Sequence, residues 1–276
     1  MPRSPIIDEN RLLEYLEIIK LKGISNRHFY EVNRYLRRYL KCIGNRIDKS
    51  KSIAYFNRLK NKYSISSYRK EVYQILKFLR HLKVDWVDEI KLPPEPEYYP
   101  KNVSKNDILH TLKHFERNEY YPRFKALILL GSTSGMRAEE LYQLHRENID
   151  LEKRVIHINH NPKYGQSTKT KKSRLGFFNE DTKQALSEYY KFLNNESNLK
   201  VLFPQRWLEK KFEKTNIRVK DLRKFFSQEW DRRGGPTSIK KILMGHSLRN
   251  DVDLMHYNAQ SEEDLKQIYD RVMNNS

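Results

Sequence analysis

The chain has 276 residues, of which 38% are hydrophobic and 12% aromatic, and its formal net charge is +19 at pH 7. This length allows two compact domains, and the aromatic content argues against a disordered chain. The single cysteine, Cys42, excludes an internal disulfide and a cysteine-rich zinc site. No apolar run approaches the length of a membrane span, so we expect a cytoplasmic protein without a membrane partner.

The basic surplus is spread along the chain rather than gathered in a tail. Residues 1–100 hold 21 basic and 12 acidic residues, a net of +9, and the remaining 176 hold 33 and 23, a net of +10. A surplus of this size in both halves attracts polyanions. It therefore favours a nucleic-acid partner over the alternative, a surface that is charged only for solubility.

The first 90 residues show helical periodicity of their apolar positions. Helices are predicted over 10–22 and 26–42, and near 50–62 and 66–82. Arginine and lysine occupy the faces opposite the apolar ones. The sequence thus predicts an all-helical first domain with basic outer faces.

Four prolines between Lys91 and Pro100 forbid a continuing helix, so we predict an extended linker at 91–100 and a second domain at 101–276. The helices predicted for the second domain are 104–115, 123–130, 138–144, 181–193, 219–233, 236–244 and 262–272. Two alternating segments, 154–158 and 174–178, predict a β-hairpin with a polar, basic loop. The predicted fold class is mainly α with a small β-sheet: a helical N-terminal domain and a mixed α/β second domain.

Two segments of the second domain carry cations suited to phosphate. A glycine-rich bend at 131–135 places Arg137 at a helix start, where an arginine can fork two phosphate oxygens. The hairpin loop concentrates four cations in six residues, from Lys169 to Arg174, which can follow a DNA backbone. Taken singly, each segment is better explained by its alternative, a helix corner with a surface arginine in the first and a solvated basic loop in the second.

Two further segments follow towards the C-terminus. Lys220 and Arg223 are three residues apart, so they share one helix face. Gly245 ends a helix and exposes His246, and Tyr257 lies shortly before the last helix. A solvated helix face and a packing tyrosine are the alternatives for these segments taken alone.

Together and in this order, the four segments resemble the tyrosine recombinase family. Residues 135–141 (GMRAEEL) match its first arginine motif, 169–175 (KTKKSRL) its hairpin, 243–247 (LMGHS) its Gly-His box, and Tyr257 stands at the position of the nucleophile. Lys220 occupies the first position of the His-x-x-Arg box, and the spacing from the Gly-His box to the tyrosine is two residues longer than the commonest one. With a lysine at that position, the sequence resembles the integrases of archaeal viruses and plasmids.

The resemblance implies a core-binding domain at 1–90 and a tyrosine-recombinase catalytic domain at 101–276. The implied catalytic residues are Arg137, Lys169, Lys220, Arg223, His246 and Tyr257. The expected DNA contacts are Arg34, Arg37, Arg38, Arg69, Lys70, Lys171, Lys172 and Arg174. Glu140 is expected to orient its neighbours, and Tyr269 to pack the last helix within its own subunit or on a neighbour.

The implied activity is site-specific recombination of double-stranded DNA attachment sites through a 3′-phosphotyrosyl intermediate, to integrate or excise a mobile element. No cofactor, metal or ATP is expected, and His157 and His160 point to opposite faces of a strand, which disfavours a metal site. The expected assembly is a homo-oligomer that is a tetramer on DNA and can be a monomer in solution. The alternatives are a type IB topoisomerase and a catalytically weakened DNA-binding homologue, which Lys220 keeps open.

Overall fold

The computed structural model describes residues 9–44, 46–193, 201–246 and 260–274. Its backbone contacts divide the chain into two compact units, Met1–Tyr99 and Pro100–Ser276. Helices dominate both units and a small antiparallel sheet lies in the second, which confirms the predicted fold class. Within the ranges described, none of the helices combines the length and the apolar character needed to cross a bilayer.

The first unit is a bundle of helices whose apolar faces form one core. Its helices are α1 (Glu9–Leu21), α2 (Asn26–Ile43), α3 (Lys49–Lys62) and α4 (Ile65–His81), followed by a 3₁₀ turn (Asp85–Glu89). The side chains of Ser25, Asp48 and Ser64 each accept a backbone N–H from the first turn of the next helix. Val32 and Leu36 from α2 are fully buried against Leu79 from α4.

The second unit surrounds its sheet with helices. Its elements are α5 (Lys105–Phe115), α6 (Tyr121–Ser134), α7 (Ala138–Tyr142), β1 (Ile149–Asp150), β2 (Val155–Ile158), β3 (Arg174–Phe177), α8 (Glu180–Leu193), α9 (Gln205–Phe212), α10 (Val219–Arg232), α11 (Thr237–Leu243) and α12 (Glu262–Met273). Ser104 caps α5 in a capping box with Asp107. Helix α9 and strand β1 were not predicted from the sequence, and the two-residue β1 is too short to show alternation.

The register of the sheet decides which side chains enter the core. The strands pair antiparallel in the order β1-β2-β3, with Ile158 opposite Arg174 and Val155 opposite Phe177. Directly opposed residues share a face of the sheet. Arg174 therefore lies on the face of the buried Ile158, whereas Val155 and Phe177 face a second cluster with α10, α11 and α12.

Helices α6 and α10 pack closely at their ends. A Cβ atom added to Gly131 would lie 2.7 Å from Cδ1 of Leu222, so any larger residue would force that side chain to shift. The Ser134 hydroxyl donates to the Leu130 carbonyl at 2.6 Å and completes the last turn of α6. The chain then reverses at Gly135, whose φ of 64° is left-handed.

The last helix packs on its own chain. The Tyr269 hydroxyl is buried and donates to the Thr133 carbonyl at 2.9 Å, which confirms its interpretation as a packing residue. Arg154 NH2 binds Asp270 Oδ2 at 2.9 Å, and Leu265 and Val272 enter the second cluster. Of the two expected packing modes, the structure contains the one within the subunit.

Candidate active site

Arg137 begins α7 and is fixed by Glu140 one turn later. The backbone N–H of Arg137 donates to Glu140 Oε2 at 2.8 Å, and its NH1 donates to Oε1 at 2.9 Å. Its NH2 donates to the carbonyl of Gly245 at 2.9 Å. The Arg137 side chain remains 20% exposed, so part of the guanidinium faces solvent with its orientation already set.

Arg174, which was expected to contact DNA, is bound within the protein by Glu140 and by the end of α11. Its NH1 and NH2 donate to the two oxygens of Glu140 at 2.9 and 2.7 Å, and its Nε donates to the Leu243 carbonyl at 2.9 Å. Its side chain is 9% exposed, since β3 points it to the core face. Arg174 is thus a bidentate partner of a buried carboxylate rather than a side chain extended from the hairpin.

Glu140 stays ionised between the two arginines. Its burial alone would raise its pKa, but the hydrogen bonds and charge of Arg174, followed by those of Arg137, outweigh burial and lower the pKa below its ordinary value. One carboxylate thereby neutralises only one of two guanidiniums. The expected orienting role of Glu140 agrees with these contacts.

Arg223 reaches the same region from α10. Its NH1 donates to the Gly135 carbonyl at 2.6 Å, at the bend that leads into Arg137. Burial, followed by the charge of Arg137, lowers the pKa of Arg223 to about 9. A cation that is both desolvated and repelled by its neighbours gains most from an anion placed between them.

His246 follows the turn that ends α11. Gly245 adopts a left-handed φ of 61°, and a Cβ there would lie 2.8 Å from Arg174 Nε. Burial lowers the pKa of His246, and the charges of Arg223 and Arg137 add to that effect. An exposed, neutral imidazole therefore stands beside two guanidiniums, where it can donate a hydrogen bond to a bound oxyanion.

The hairpin lysines and Lys220 are exposed side chains of the second unit. Lys169, Lys171 and Lys172 are exposed in the loop between β2 and β3. Lys220 is exposed on α10 and lines a cavity of about 400 Å³ together with Glu139 and Tyr142.

The predicted nucleophile, Tyr257, and its neighbour His256 lie outside the described residues. Among those that are described, no three His, Cys, Asp or Glu side chains gather as a metal-binding group. His160 Nδ1 instead accepts the backbone N–H of Thr168 at 3.1 Å, so it ties the hairpin loop together.

The basic residues predicted as DNA contacts in the first unit differ in their surroundings. Arg34 and Lys70 are exposed, and Arg34 lies over the ring of Tyr35. Arg37 is exposed and pairs with Glu9, and Arg69 binds the Pro93 carbonyl and Glu95. Arg38 holds the buried Glu71 through two nitrogens.

Sequence reasoning did not single out the amides of Gln143, Asn148 and Gln166, which join the hairpin loop to α7. Asn148 is buried and Gln143 caps the end of α7. Lone amide residues carry no motif, so only the fold reveals that they meet.

The chain was compared with known proteins. The model of the phage integrase family matches residues 101–264. The tyrosine recombinase XerA of Saccharolobus solfataricus is 30% identical over 127 residues, 46% of this chain and 40% of that protein. XerA of Thermococcus kodakarensis is 26% identical over 152 residues, 54% and 53% of the two chains, and XerA of Thermococcus onnurineus is 23% identical over 243 residues, 87% and 82%. The chain thus spans about half or less of the first two relatives.

Solved structures share the fold at low sequence identity. The integrase of transposon Tn1549 in complex with circular intermediate DNA has a TM-score of 0.66 at 17% identity, covering 93% of this chain and 97% of that one. A lambda integrase dimer bound to a core site has a TM-score of 0.67 at 12% identity, covering 92% and 98%. The family match extends over more than half of the sequence, from 101 to 264. The chain therefore belongs to the phage integrase family of tyrosine recombinases.

Proposed function

We propose that this protein is a site-specific recombinase that cleaves and rejoins duplex DNA through a 3′-phosphotyrosyl bond on Tyr257, in the integration or excision of a mobile element. The observation that carries the proposal is the convergence of Arg137, Arg223 and His246 from three separate elements, α7, α10 and the end of α11. The integrase of transposon Tn1549, solved in complex with circular intermediate DNA, shares the fold, which supports a DNA partner.

The first task of the site is to hold the scissile phosphate. Arg137 and Arg223 are the groups that bind its non-bridging oxygens, and His246 donates a further hydrogen bond. Because Glu140 is already shared with Arg174, it does not cancel the charge that Arg137 offers to phosphate. These fixed donors stabilise the extra negative charge of the pentavalent transition state.

The second task is to exchange one bond for another. The Tyr257 oxygen attacks phosphorus and its phenolic proton passes to water, which the positive field of Arg137, Arg223 and Lys220 favours. The bond from phosphorus to the 5′ oxygen breaks, its electron pair stays on that oxygen, and Lys169 supplies the proton. The phosphodiester energy is kept in the phosphotyrosine, so religation proceeds without ATP, and the cations supply the charge that a metal supplies elsewhere.

The basic surfaces provide the remaining contacts with DNA. In the first unit, Arg34 and Lys70 are the exposed candidates for phosphate contacts, and in the hairpin Lys171 and Lys172. Recombination joins two duplexes, so a homo-oligomer on DNA, as a tetramer, completes the proposal. Lys220 takes the place that histidine has in the family motif and contributes a positive charge near the phosphate.

The experiment uses end-labelled duplexes with a randomised core and a nick, from which the protein selects its own site by covalent capture. Once that site is known, the nicked duplex traps a protein–DNA adduct that a denaturing gel detects. The proposal expects an adduct with the intact protein and none with Tyr257→Phe. No captured DNA, or an undiminished adduct with Tyr257→Phe, refutes it, and relaxation of supercoils without recombinant products favours a type IB topoisomerase.

A further inference from the structure

The hairpin loop that carries Lys169 is bonded to α7. The backbone N–H of Ser167 donates to Gln143 Oε1 at 2.6 Å, two residues before Lys169. Gln166 Nε2 donates to Asn148 Oδ1 at 2.7 Å. Gln143, Asn148, Gln166 and Ser167 also line one small cavity of about 10 Å³.

The turn that carries Lys169 is closed by hydrogen bonds between Thr168, which is buried, and Lys172. The Thr168 hydroxyl donates to the Lys172 carbonyl at 2.9 Å and accepts the Lys172 N–H at 3.1 Å. Its own N–H donates to His160 Nδ1 at 3.1 Å. Lys169 thus stands on the outside of a short turn that is fixed at its base, and its backbone position follows from the bonds to α7.

Helix α7 is only five residues long and serves two groups of the site. Arg137 is its N-cap and Gln143 its C-cap, and Glu140 between them is locked by Arg174. The phosphate-binding arginine and the anchor of the lysine loop are therefore borne by one rigid segment. The loop reaches that segment through the Ser167 N–H, which donates to Gln143 Oε1, and through Gln166 Nε2, which donates to the Gln143 carbonyl at 3.4 Å.

We infer that Gln143 is a positioning residue that sets the distance from Lys169 to the departing 5′ oxygen. The inference rests on the proposed function, in which Lys169 is the general acid. Proton transfer needs a donor within about 3 Å of the oxygen. A misplacement of about 1 Å can cost about 100-fold in rate.

The test replaces the leaving oxygen by sulfur. In the normal step, phosphorus loses its bond to the 5′ oxygen, which takes a proton from Lys169 Nζ. A thiol has a pKa of about 8.5 against about 15.7 for water, so a 5′ sulfur leaves as a thiolate and needs no proton. A defect that concerns only the acid must therefore disappear with the sulfur substrate.

Cleavage rates are measured on the self-selected duplex with oxygen or sulfur at the bridging 5′ position. Gln143→Met keeps the volume and removes the acceptor, and Lys169→Met removes the acid. We expect both to lose about 10- to 100-fold with oxygen and to regain nearly wild-type rates with sulfur. Gln143→Glu keeps the acceptor for Ser167 and is expected to retain activity, as is Gln205→Ala, an exposed glutamine on α9.

The outcomes separate two failures. If Lys169→Met is rescued by sulfur and Gln143→Met is slow with both substrates, or fast with both, the positioning role of Gln143 is refuted while the proposed function stands. If sulfur does not rescue Lys169→Met, the acid role in the proposed function fails and the inference falls with it. Should Gln143→Met not fold, Gln166→Ala breaks the neighbouring bond to Asn148 and is judged by the same criteria.

Discussion

Arg174 and Glu140 are joined by two parallel hydrogen bonds, from NH1 to Oε1 at 2.9 Å and from NH2 to Oε2 at 2.7 Å. The same carboxylate also receives Arg137. Two guanidiniums on one carboxylate leave a net positive charge. Arg174 is the more buried of the two, with 9% of its side chain exposed against 20% for Arg137. This arrangement keeps Arg137 oriented without neutralising it, as the proposed grip on a phosphate requires.

Arg174→Met should destabilise the second unit. Removing one partner of a buried ion pair costs about 3–5 kcal/mol, and we expect the lower end because Arg137 stays on Glu140. Urea denaturation measures the change. Lys172→Met is the control, since Lys172 is exposed two residues earlier, and equal stability of the two variants would contradict the structural role of Arg174.

Gly135→Ala should cost more than Gly165→Ala. Both glycines have left-handed φ, 64° and 75°, so both alanines carry backbone strain of about 1–2 kcal/mol. A Cβ at Gly135 would also lie 2.5 Å from the Phe226 ring, whereas Gly165 has open space. The difference in the free energy of unfolding between the two variants, measured by denaturation, gives the steric part of the cost. Equal losses of stability would show that the bend before Arg137 is not tightly packed.

The stability of the fold should depend on His246 in mildly acidic solution. Burial and the charges of Arg223 and Arg137 lower its pKa in the folded state, so the unfolded chain binds the proton more tightly. Stability therefore decreases as the pH falls below about 6.5, the ordinary histidine value. Melting temperatures between pH 8 and 5 should fall less steeply for His246→Gln than for wild type, and identical slopes would contradict the placement of His246 beside the arginines.

Arg34 and Arg38 should separate binding from stability in the first unit. Arg34→Ala is expected to weaken binding to duplex DNA and to reduce the slope of log affinity against log salt by about 0.9, with unfolding unchanged. Arg38→Ala should instead lower stability, by roughly 1–3 kcal/mol, because Glu71 is buried and keeps the hydroxyl of Tyr55 as a partner. Fluorescence anisotropy across salt concentrations and urea denaturation measure the two effects. The reverse pattern would refute both assignments.

The helices and the order of the motifs could be predicted from the sequence, whereas the interior of the site could not. The periodicity of 26–42 predicts α2 within one residue of its end, because burial on one face follows the helical repeat. The sequence places Arg174 at the start of the second strand and among the cations of the hairpin, but it does not reveal which face of the sheet the side chain takes. A shift of one residue exchanges the two faces of a strand, and only the pairing with Ile158 turns Arg174 inward.

The role of Gln143 was out of reach for a related reason. Its partner Ser167 is 24 residues away and is held through a backbone N–H, which any residue except proline offers. Arg137 and Arg223, by contrast, belong to motifs whose spacing can be read directly from the sequence. Motifs thus identified the groups proposed to touch phosphate, and the fold identified the residues that hold them.

The most direct test of the account is the chemical identity of the trapped adduct. The protein is incubated with its selected nicked duplex, digested with a protease, and the DNA-bearing peptide is sequenced by mass spectrometry. The account predicts a nucleotide joined through its 3′ phosphate to Tyr257, with a free 5′-hydroxyl on the released strand. Attachment to another residue, or a bond through a 5′ phosphate, would contradict it.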